Sequence, residues 1–379
     1  MSKPPKYVQN TLDTLTGAGF EALPVGGCVR DILLGRRPLD WDVASSALPE
    51  EVIALFPRTV AASAKHGTVT VMCGKRGVEV TSFRAEGLYS DHRRPDSVSF
   101  TGDLLSDLSR RDFTVNAMAL SASGDIIDPF GGRADLTARL IRCVGIPEAR
   151  FTEDALRMLR AFRFRARLGF ELEEKTRAAI FACAPFCAAL SPERVRDELL
   201  KTLASPRPET VLEMLYAGLL NAFLTSACTA QLPPLRLAAL PKYARTAHFC
   251  AWAENCGLIM STESFLSALR LDGRSIKTAA AAVGILRSGS RDWKRLLRDC
   301  GEAAVLAAYP KNPALRRVLK NGECRSLAEL AVTGGDMLAL GYVGRDIGLA
   351  LDRLLEHVID FPRDNDREIL CKLAEKERT

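Results

Sequence analysis

Val25-Gly-Gly-Cys-Val-Arg-Asp-Ile-Leu-Leu-Gly-Arg-Arg-Pro-Leu-Asp-Trp-Asp-Val-Ala-Ser-Ser46 joins a glycine turn, an arginine and two aspartates one residue apart. Gly26 and Gly27 follow the apolar run 20–25, where a strand stops, and let the backbone approach a ligand with no Cβ in the way. Val29 to Leu34 predicts a short helix whose first amide groups face an anion, with Arg30 able to add charge. Asp40 to Val43 predicts the second strand, in which residues i and i+2 share a face, so Asp40 and Asp42 project side by side. Carboxylates so close repel unless a cation lies between them. Mg²⁺ is suited to this place, because it is held by one or two carboxylates plus substrate phosphates. A pair of such ions roughly 3.5–4 Å apart can activate an attacking oxygen and stabilise a leaving one. A lone Asp-x-Asp is usually a solvated turn, and a lone Gly-Gly a plain one. The order Gly-Gly, Arg, then Asp-x-Asp on the next strand is what points to a phosphate-and-metal site.

With 379 residues the chain is too long for one small core, so two to four domains are expected. A hydrophobic content of 47% suits a folded, soluble protein. No apolar run approaches the ~20 residues needed to span a membrane. No apolar signal core follows Met1–Lys6, so no membrane association and a cytoplasmic location are expected. The eleven cysteines form no C-x-x-C pair, which argues against a zinc or redox motif. Cys183 and Cys187 read as buried free thiols. A net charge of +6 permits a nucleic-acid partner without requiring one.

Residues 5–19 predict an amphipathic helix with Val8, Leu12 and Leu15 on one side. Further strands are expected at 59–62, 68–73 and 77–83, the last two joined through Gly74-Lys-Arg-Gly77, and at 115–122 and 125–128. A helix opened by Pro49 is expected at 48–56. From about residue 145 strand signals vanish, and helices separated by Pro and Gly breaks follow. The fold class is therefore α+β at the N-terminus and all-α afterwards. Glu79, on the strand 78–83, is a solvent-facing carboxylate or, if that strand lies beside Asp40 and Asp42, a third metal-facing one.

Arg110, Arg111, Asp112 and Asn116 cluster at the margin of the head, and guanidinium groups bond phosphate oxygens bidentately, which suits a triphosphate. Asp128-Pro-Phe-Gly-Gly-Arg133 with Asp135 reads as a structural turn, or a hinge, leaving the head. In Phe151-Thr-Glu-Asp-Ala-Leu-Arg-Met-Leu-Arg-Ala-Phe-Arg163, Thr152 is placed to cap a helix with Glu153 and Asp154 in its first turn. Asp154 and Arg157 are then neighbours on that helix. Arg163 lies half a turn away, so the group is divided: Asp154 and Arg157 at a ligand's base, Arg160 and Arg163 on phosphates or holding the head. The five arginines within 157–167 would repel one another without an anionic partner.

These stretches, in this order, resemble the class II CCA-adding enzymes (tRNA nucleotidyltransferases) and their sister bacterial poly(A) polymerases. Gly26–Asp42 matches the family's metal-binding motif, Arg110–Asn116 its second, Asp128–Arg142 its third, and Glu153-Asp-Ala-Leu-Arg157 its nucleotide-selecting motif. Ser191-Pro-Glu-Arg-Val-Arg-Asp-Glu198 matches a fifth, with Ser191 expected to cap and Pro192 to take the first helical position. Thr333–Gly341 matches the tail segment. The resemblance implies a nucleotidyltransferase head of the DNA polymerase beta superfamily over 1–140, a helical neck over 141–204 that selects the nucleotide, a body over 205–271, and a tail over 272–379 that binds tRNA, in a seahorse-like shape. It implies Mg²⁺ on Asp40 and Asp42, with attack of a tRNA 3′-hydroxyl on the α-phosphate of CTP or ATP and loss of pyrophosphate. It carries over Gly27, Arg30, Arg111, Arg160 and Arg163 as nucleotide contacts, and Asp154 and Arg157 as the residues that pair with the incoming base. The acceptor stem and T arm of tRNA are the implied macromolecular partner; a homodimer is compatible with the sequence but not determined by it. No catalytic histidine is implied, and His66 and His92 read as structural or loop residues. Ala64–Thr70 resembles the CCA-adding branch more than the poly(A) polymerases. A complete loop over 84–96 favours full CCA addition over addition of CC alone. The alternatives are a poly(A) polymerase, a CC- or A-only enzyme, and a non-catalytic RNA-binding protein, the last opposed by the presence of both aspartates.

Overall fold

The computed structural model describes residues 3–86, 98–100, 102–228 and 231–378. Most of the loop expected at 84–96, and His92 with it, therefore lies outside the described residues. Contacts within the chain divide it into two compact units, 1–231 and 232–379.

The first unit opens with α1 (Lys6–Gly17), which buries Val8, Leu12 and Leu15 as its apolar stripe predicts. β1 (Ala22–Val25), α2 (Gly27–Leu33), β2 (Asp42–Ser45), α3 (Pro49–Leu55), β3 (Thr59–Val60), β4 (Thr68–Cys73) and β5 (Arg76–Ser82) follow. β6 (Arg84–Glu86) and β7 (Val98–Phe100) form a separate pair. Then come α4 (Leu104–Ser109), β8 (Ala119–Leu120), β9 (Ile126–Ile127) and α5 (Gly132–Ala138). The main sheet is mixed, in the order β3-β4-β5-β2-β1-β8-β9. Only β2 and β5 run parallel, and their register sets Asp42 beside Glu79 on one face. Val25, Ala44, Phe83, Leu108 and Ala119 pack together beneath the sheet.

Three local expectations need correcting. α2 starts at Gly27, two residues earlier than the sequence suggests. β2 starts at Asp42, so Asp40 stands on a bend before the strand. The ladder ends there because the partner of Asp42 is Val25, the last residue of β1, after which Gly26 turns away with φ +74°. The third is the strand expected over 115–122, which is reduced to Ala119–Leu120 after a 3₁₀ turn over Thr114–Asn116. Side chains hold that turn: Thr114 donates to Asp135 at 2.6 Å, and Asn116 donates to Asp112 at 3.1 Å. Such local bonds compete with strand pairing.

The 128–133 turn is structural. Asp128 accepts from the amides of Gly132 and Arg133 at 2.7 and 2.9 Å. A Cβ on Gly132 would strike the Thr114 carbonyl and lie 2.9 Å from Met118 Sδ. Gly132→Ala is therefore expected to lower stability by about 1–3 kcal/mol, read as a denaturant midpoint. An unchanged midpoint would mean the turn is not packed this way.

β10 (Leu140–Ile141), α6 (Pro147–Glu153), α7 (Leu156–Leu168), β11 (Glu171–Leu172), α8 (Glu174–Cys183) and α9 (Pro192–Leu203) continue the first unit. β10 and β11 pair in parallel, so a short ladder persists where only helices were expected. Pro192 takes the first position of α9; Ser191 precedes it but makes no side-chain cap bond, a second departure. Cys183 and Cys187 are buried free thiols, and burial pushes Cys187 up to about 12.

The second unit is helical, and its C-terminal part packs around Val332, Met337, Leu354, Val358 and Leu370. In the tail segment Thr333 and Asp336 form a reciprocal cap for the helix Gly334–Ala339. No described helix of the chain is long and apolar enough to cross a membrane.

Candidate active site

A cavity of ≈ 470 Å³ opens where the end of the main sheet meets α7. Gly26, Gly27, Arg30, Asp40, Asp42 and Glu79 line it on the sheet side. Arg111, Asp112 and Asn116 line a second side, and Asp154, Arg157, Arg160 and Arg163 a third. All the residues expected at the site are thus brought to one cavity.

Gly26 has φ +74° and ψ −125°, a conformation suited to glycine. A Cβ there would lie 2.9 Å from Arg111 Nη1 and 3.6 Å from the Asn116 carbonyl. The absent side chain is thus what lets the Arg111 guanidinium rest against the turn. Arg111 Nη2 donates to Asp107 at 2.9 Å, while its Nε is buried with no partner among the described residues. Gly27 differs: a Cβ there would reach only ordinary contact with Arg30, at 3.6 Å.

Asp42 is partly buried, whereas Asp40 and Glu79 are exposed. Burial raises the Asp42 pKa, and the negative charges of Glu79 and Asp40 raise it further, partly offset by Arg111 and Arg30. Asp40, Asp42 and Glu79 thus place three carboxylates at this end of the cavity, with Arg111 and Arg30 offsetting part of their effect on Asp42. No three acidic, histidine or cysteine side chains among the described residues converge into a closed metal cage. An all-oxygen carboxylate pair fits a hard divalent cation that completes its shell with substrate oxygens and water.

The arginines are not short of partners, which corrects the repulsion argument. Arg30, 2% exposed, donates to Asp31 at 2.8 Å and to Asn116 at 2.6 Å. Arg157, 7% exposed, donates to Glu153 at 2.6 Å and to the Arg110 carbonyl at 2.9 Å. Arg160 donates to Asp112 at 2.7 Å and Arg163 pairs with Glu198. Arg165 pairs with Glu213 and Glu171, and Arg167 with Asp31 at 3.6 Å. Of the two roles open to Arg160, it therefore holds the head through Asp112 while its side chain still lines the cavity.

The helix expected from Thr152 onward is broken. Thr152 sits in the last turn of α6 and donates to the Glu148 carbonyl at 2.8 Å. Asp154 is extended, with φ −142°, and its Oδ1 accepts from the Leu156 amide at 3.1 Å at the start of α7. Its Oδ2 accepts from Arg194 at 2.8 Å. Asp154 and Arg157 are thus not stacked on one helix but are held by different partners, both at the cavity wall. Reading the sequence missed Arg194 as the support of Asp154 and Glu198 as the partner of Arg163. The two lie four residues apart on α9, one helical face, and that spacing was the available signal.

Burial alone would raise the Asp112 pKa, but Arg160 and hydrogen bonds from Asn116 and the Phe113 amide hold it at about 2. Its ordinary value is 3.8. The folded state is therefore favoured by this carboxylate above about pH 4, and that contribution is lost as pH falls through about 2. Asp112→Asn is expected to cost about 2–3 kcal/mol at pH 7, with the gap to wild type closing between about pH 4 and 2. A gap that does not depend on pH would contradict the assignment.

Residues 22–142 match the family model for the poly(A) polymerase head domain, and residues 169–228 match that for a probable RNA- and SrmB-binding site of polymerase A. The CCA-adding enzyme of Geobacillus stearothermophilus is 39% identical, over 100% of this chain and 98% of its own length. This chain belongs to the CCA-adding enzyme family. The CCA-adding enzyme of Enterococcus faecalis is 38% identical over 96% of this chain and 94% of its own. A crystal structure of the Bacillus stearothermophilus CCA-adding enzyme in complex with CTP superimposes with a TM-score of 0.82 at 34% identity, covering 100% of this chain and 98% of that one. Family membership thus covers the second unit as well as the head, and the mixed sheet followed by helices is the fold of the family.

Proposed function

We propose that this enzyme adds CCA to the 3′ end of tRNA without a template, using CTP and ATP and releasing pyrophosphate, in the cavity between the main sheet and α7. Membership of the CCA-adding enzyme family over the full length carries this reading. The cavity supports it, because carboxylates at one end and fixed arginines at the other are what nucleotidyl transfer from a triphosphate needs. For function we divide the chain into a head over 1–140, a neck over 141–204, a body over 205–271 and a tail over 272–379, the last binding tRNA. The setting for such a reaction is the cytoplasm.

In this proposal Asp40 and Asp42 hold Mg²⁺, with Glu79 beside them shaping the charge. When bound, the ion supplies charge neutralisation at the phosphate oxygens and eases ionisation of the attacking hydroxyl. Gly27 lets the nucleotide approach the backbone. Arg111, whose Nε has no partner among the described residues, takes a phosphate oxygen, and Arg30, Arg160 and Arg163 surround the remaining negative charge. Asp154 and Arg157 offer an acceptor and a donor to the base edge. Their separate supports, Arg194 and Glu153, allow that edge to be held in a fixed orientation.

Pyrophosphate release tests the reading. With tRNA lacking its last three nucleotides, CTP and ATP together are expected to yield three pyrophosphates per tRNA, while UTP and GTP yield none. Consumption of ATP alone, continuing past one nucleotide, would assign a poly(A) polymerase instead.

A further inference from the structure

Phe164 lies on α7, 4% exposed, and lines the cavity. Three of the arginines just described surround its ring. The Arg163 guanidinium carbon stands 4.2 Å from the ring centroid, and those of Arg30 and Arg160 each stand 5.5 Å away. A fourth neighbour, Phe113, meets the ring edge-on, with centroids 5.7 Å apart and planes at 80°. Phe113 follows Asp112, whose carboxylate takes Arg160 and the Asn116 amide, and Asn116 in turn takes Arg30. The ring therefore closes a circuit: one aromatic ring shared by three cations, with polar links running between the residues around it.

A phenyl group at that point does what a carboxylate cannot. Arg30 is buried and Arg163 partly so, and desolvation lowers the pKa of each, so the charged forms need compensation. Another carboxylate would supply it by saturating the guanidinium donors. The negative face of an aromatic ring attracts the cations while leaving their N–H groups directed outward. Arg30 already has two protein acceptors, Asp31 and Asn116, and Arg160 and Arg163 have Asp112 and Glu198, and the ring holds the planes without occupying further donors. α7 carries Arg160, Arg163 and Phe164, whereas Arg30 comes from α2, so the ring also fixes the spacing between the two elements.

We infer that Phe164 is a positioning residue for the triphosphate: it orients Arg30, Arg160 and Arg163 toward the phosphates and takes no part in reading the base. The inference rests on the nucleotide-binding reading of this cavity. It predicts a selective defect, in which affinity for the polyphosphate falls while discrimination among bases is untouched.

The probe is inorganic tripolyphosphate, measured as a competitive inhibitor of CTP incorporation in the full-length enzyme. Replacement of Phe164 by pentafluorophenylalanine keeps the shape of the ring and reverses the charge on its face. That variant is expected to weaken tripolyphosphate inhibition by about tenfold and to raise the KM for CTP and ATP by similar factors. Its kcat and its preference for CTP and ATP over UTP and GTP should stay near wild type. Phe164→Leu should show the same defect, and Phe164→Tyr, which retains an electron-rich ring, should recover most of the affinity. A fluorinated variant inhibited as strongly as wild type overturns the inference and leaves the nucleotide-binding reading intact, whether or not Phe164→Leu folds. Equal loss of kcat and inhibitor affinity, with a lower melting temperature, would assign the ring to packing alone and also overturn it. If tripolyphosphate fails to compete with CTP in the wild-type enzyme, the nucleotide-binding reading itself falls, and the inference with it.

Discussion

Asp42→Asn enzyme is expected to lose nucleotide incorporation by about three orders of magnitude or more, the scale of several kcal/mol of lost charge stabilisation. The same substitution is expected to leave the protein at least as stable as wild type. Asp42 is costly in the folded state because burial and the charges of Glu79 and Asp40 all disfavour its ionised form. A carboxylate whose pKa is raised by folding favours the folded state below its ordinary pKa of 3.8, and that advantage is lost as pH rises through the higher folded value. At pH 7 the wild-type chain therefore carries a strained charge that a neutral amide relieves. Activity and thermal denaturation measured on one preparation separate the two effects. Inactivity with a raised or unchanged melting temperature supports the metal assignment, and full activity would end it. Asp40→Asn should lose activity on the same scale. Glu79→Gln should lose far less, because Glu79 is exposed, acts on Asp42 through its charge, and no third carboxylate closes a cage among the described residues.

The second large effect concerns base choice. Asp154→Ala and Arg157→Ala are each expected to reduce discrimination for CTP and ATP over UTP and GTP by about 10²-fold or more, since a site built from hydrogen bonds rejects the wrong partner by leaving polar groups unpaired. Loss of Asp154 also removes the acceptor for the Leu156 amide and the partner of Arg194, so a stability cost of about 1 kcal/mol is expected beside it. Arg194→Ala probes the same carboxylate from behind. It should relax base choice less than Asp154→Ala, because the carboxylate remains but its orientation is no longer fixed. Steady-state incorporation of each of the four nucleotides, one at a time, reads all three variants. Unchanged preference in the Asp154 and Arg157 variants would remove both residues from the base-reading role.

The sheet end of this site was legible because its information is local. Gly-Gly after an apolar run, an arginine, and aspartates leading into Val43 sit within twenty residues, and each has a conformational meaning of its own. Even there the strand started at Asp42 and not Asp40, since strand length is set by the partner, and β1 ends opposite Asp42. The arginine helix was legible as a cationic surface but not in its pairing. Besides the local Glu153 and Glu171, its counter-charges are Asp112, Glu198 and Glu213, between 35 and 48 residues from their arginines, and Asp31, which comes from α2. No periodicity within the helix reports them. The break at Asp154 was hidden for a related reason. The Thr-Glu-Asp run has the composition of a helix start, yet it falls at the end of α6, which Pro147 had already opened. Phe164 was invisible altogether, because a phenylalanine at helical spacing reads as core until the arginines around it are seen.

The sequence of the nucleotides added to a tRNA that lacks its last three residues tests the account most directly. The wild-type enzyme, given all four nucleoside triphosphates, is expected to add C, C and A and then stop. A tail of A residues, or equal extension of an RNA that is not a tRNA, would contradict it.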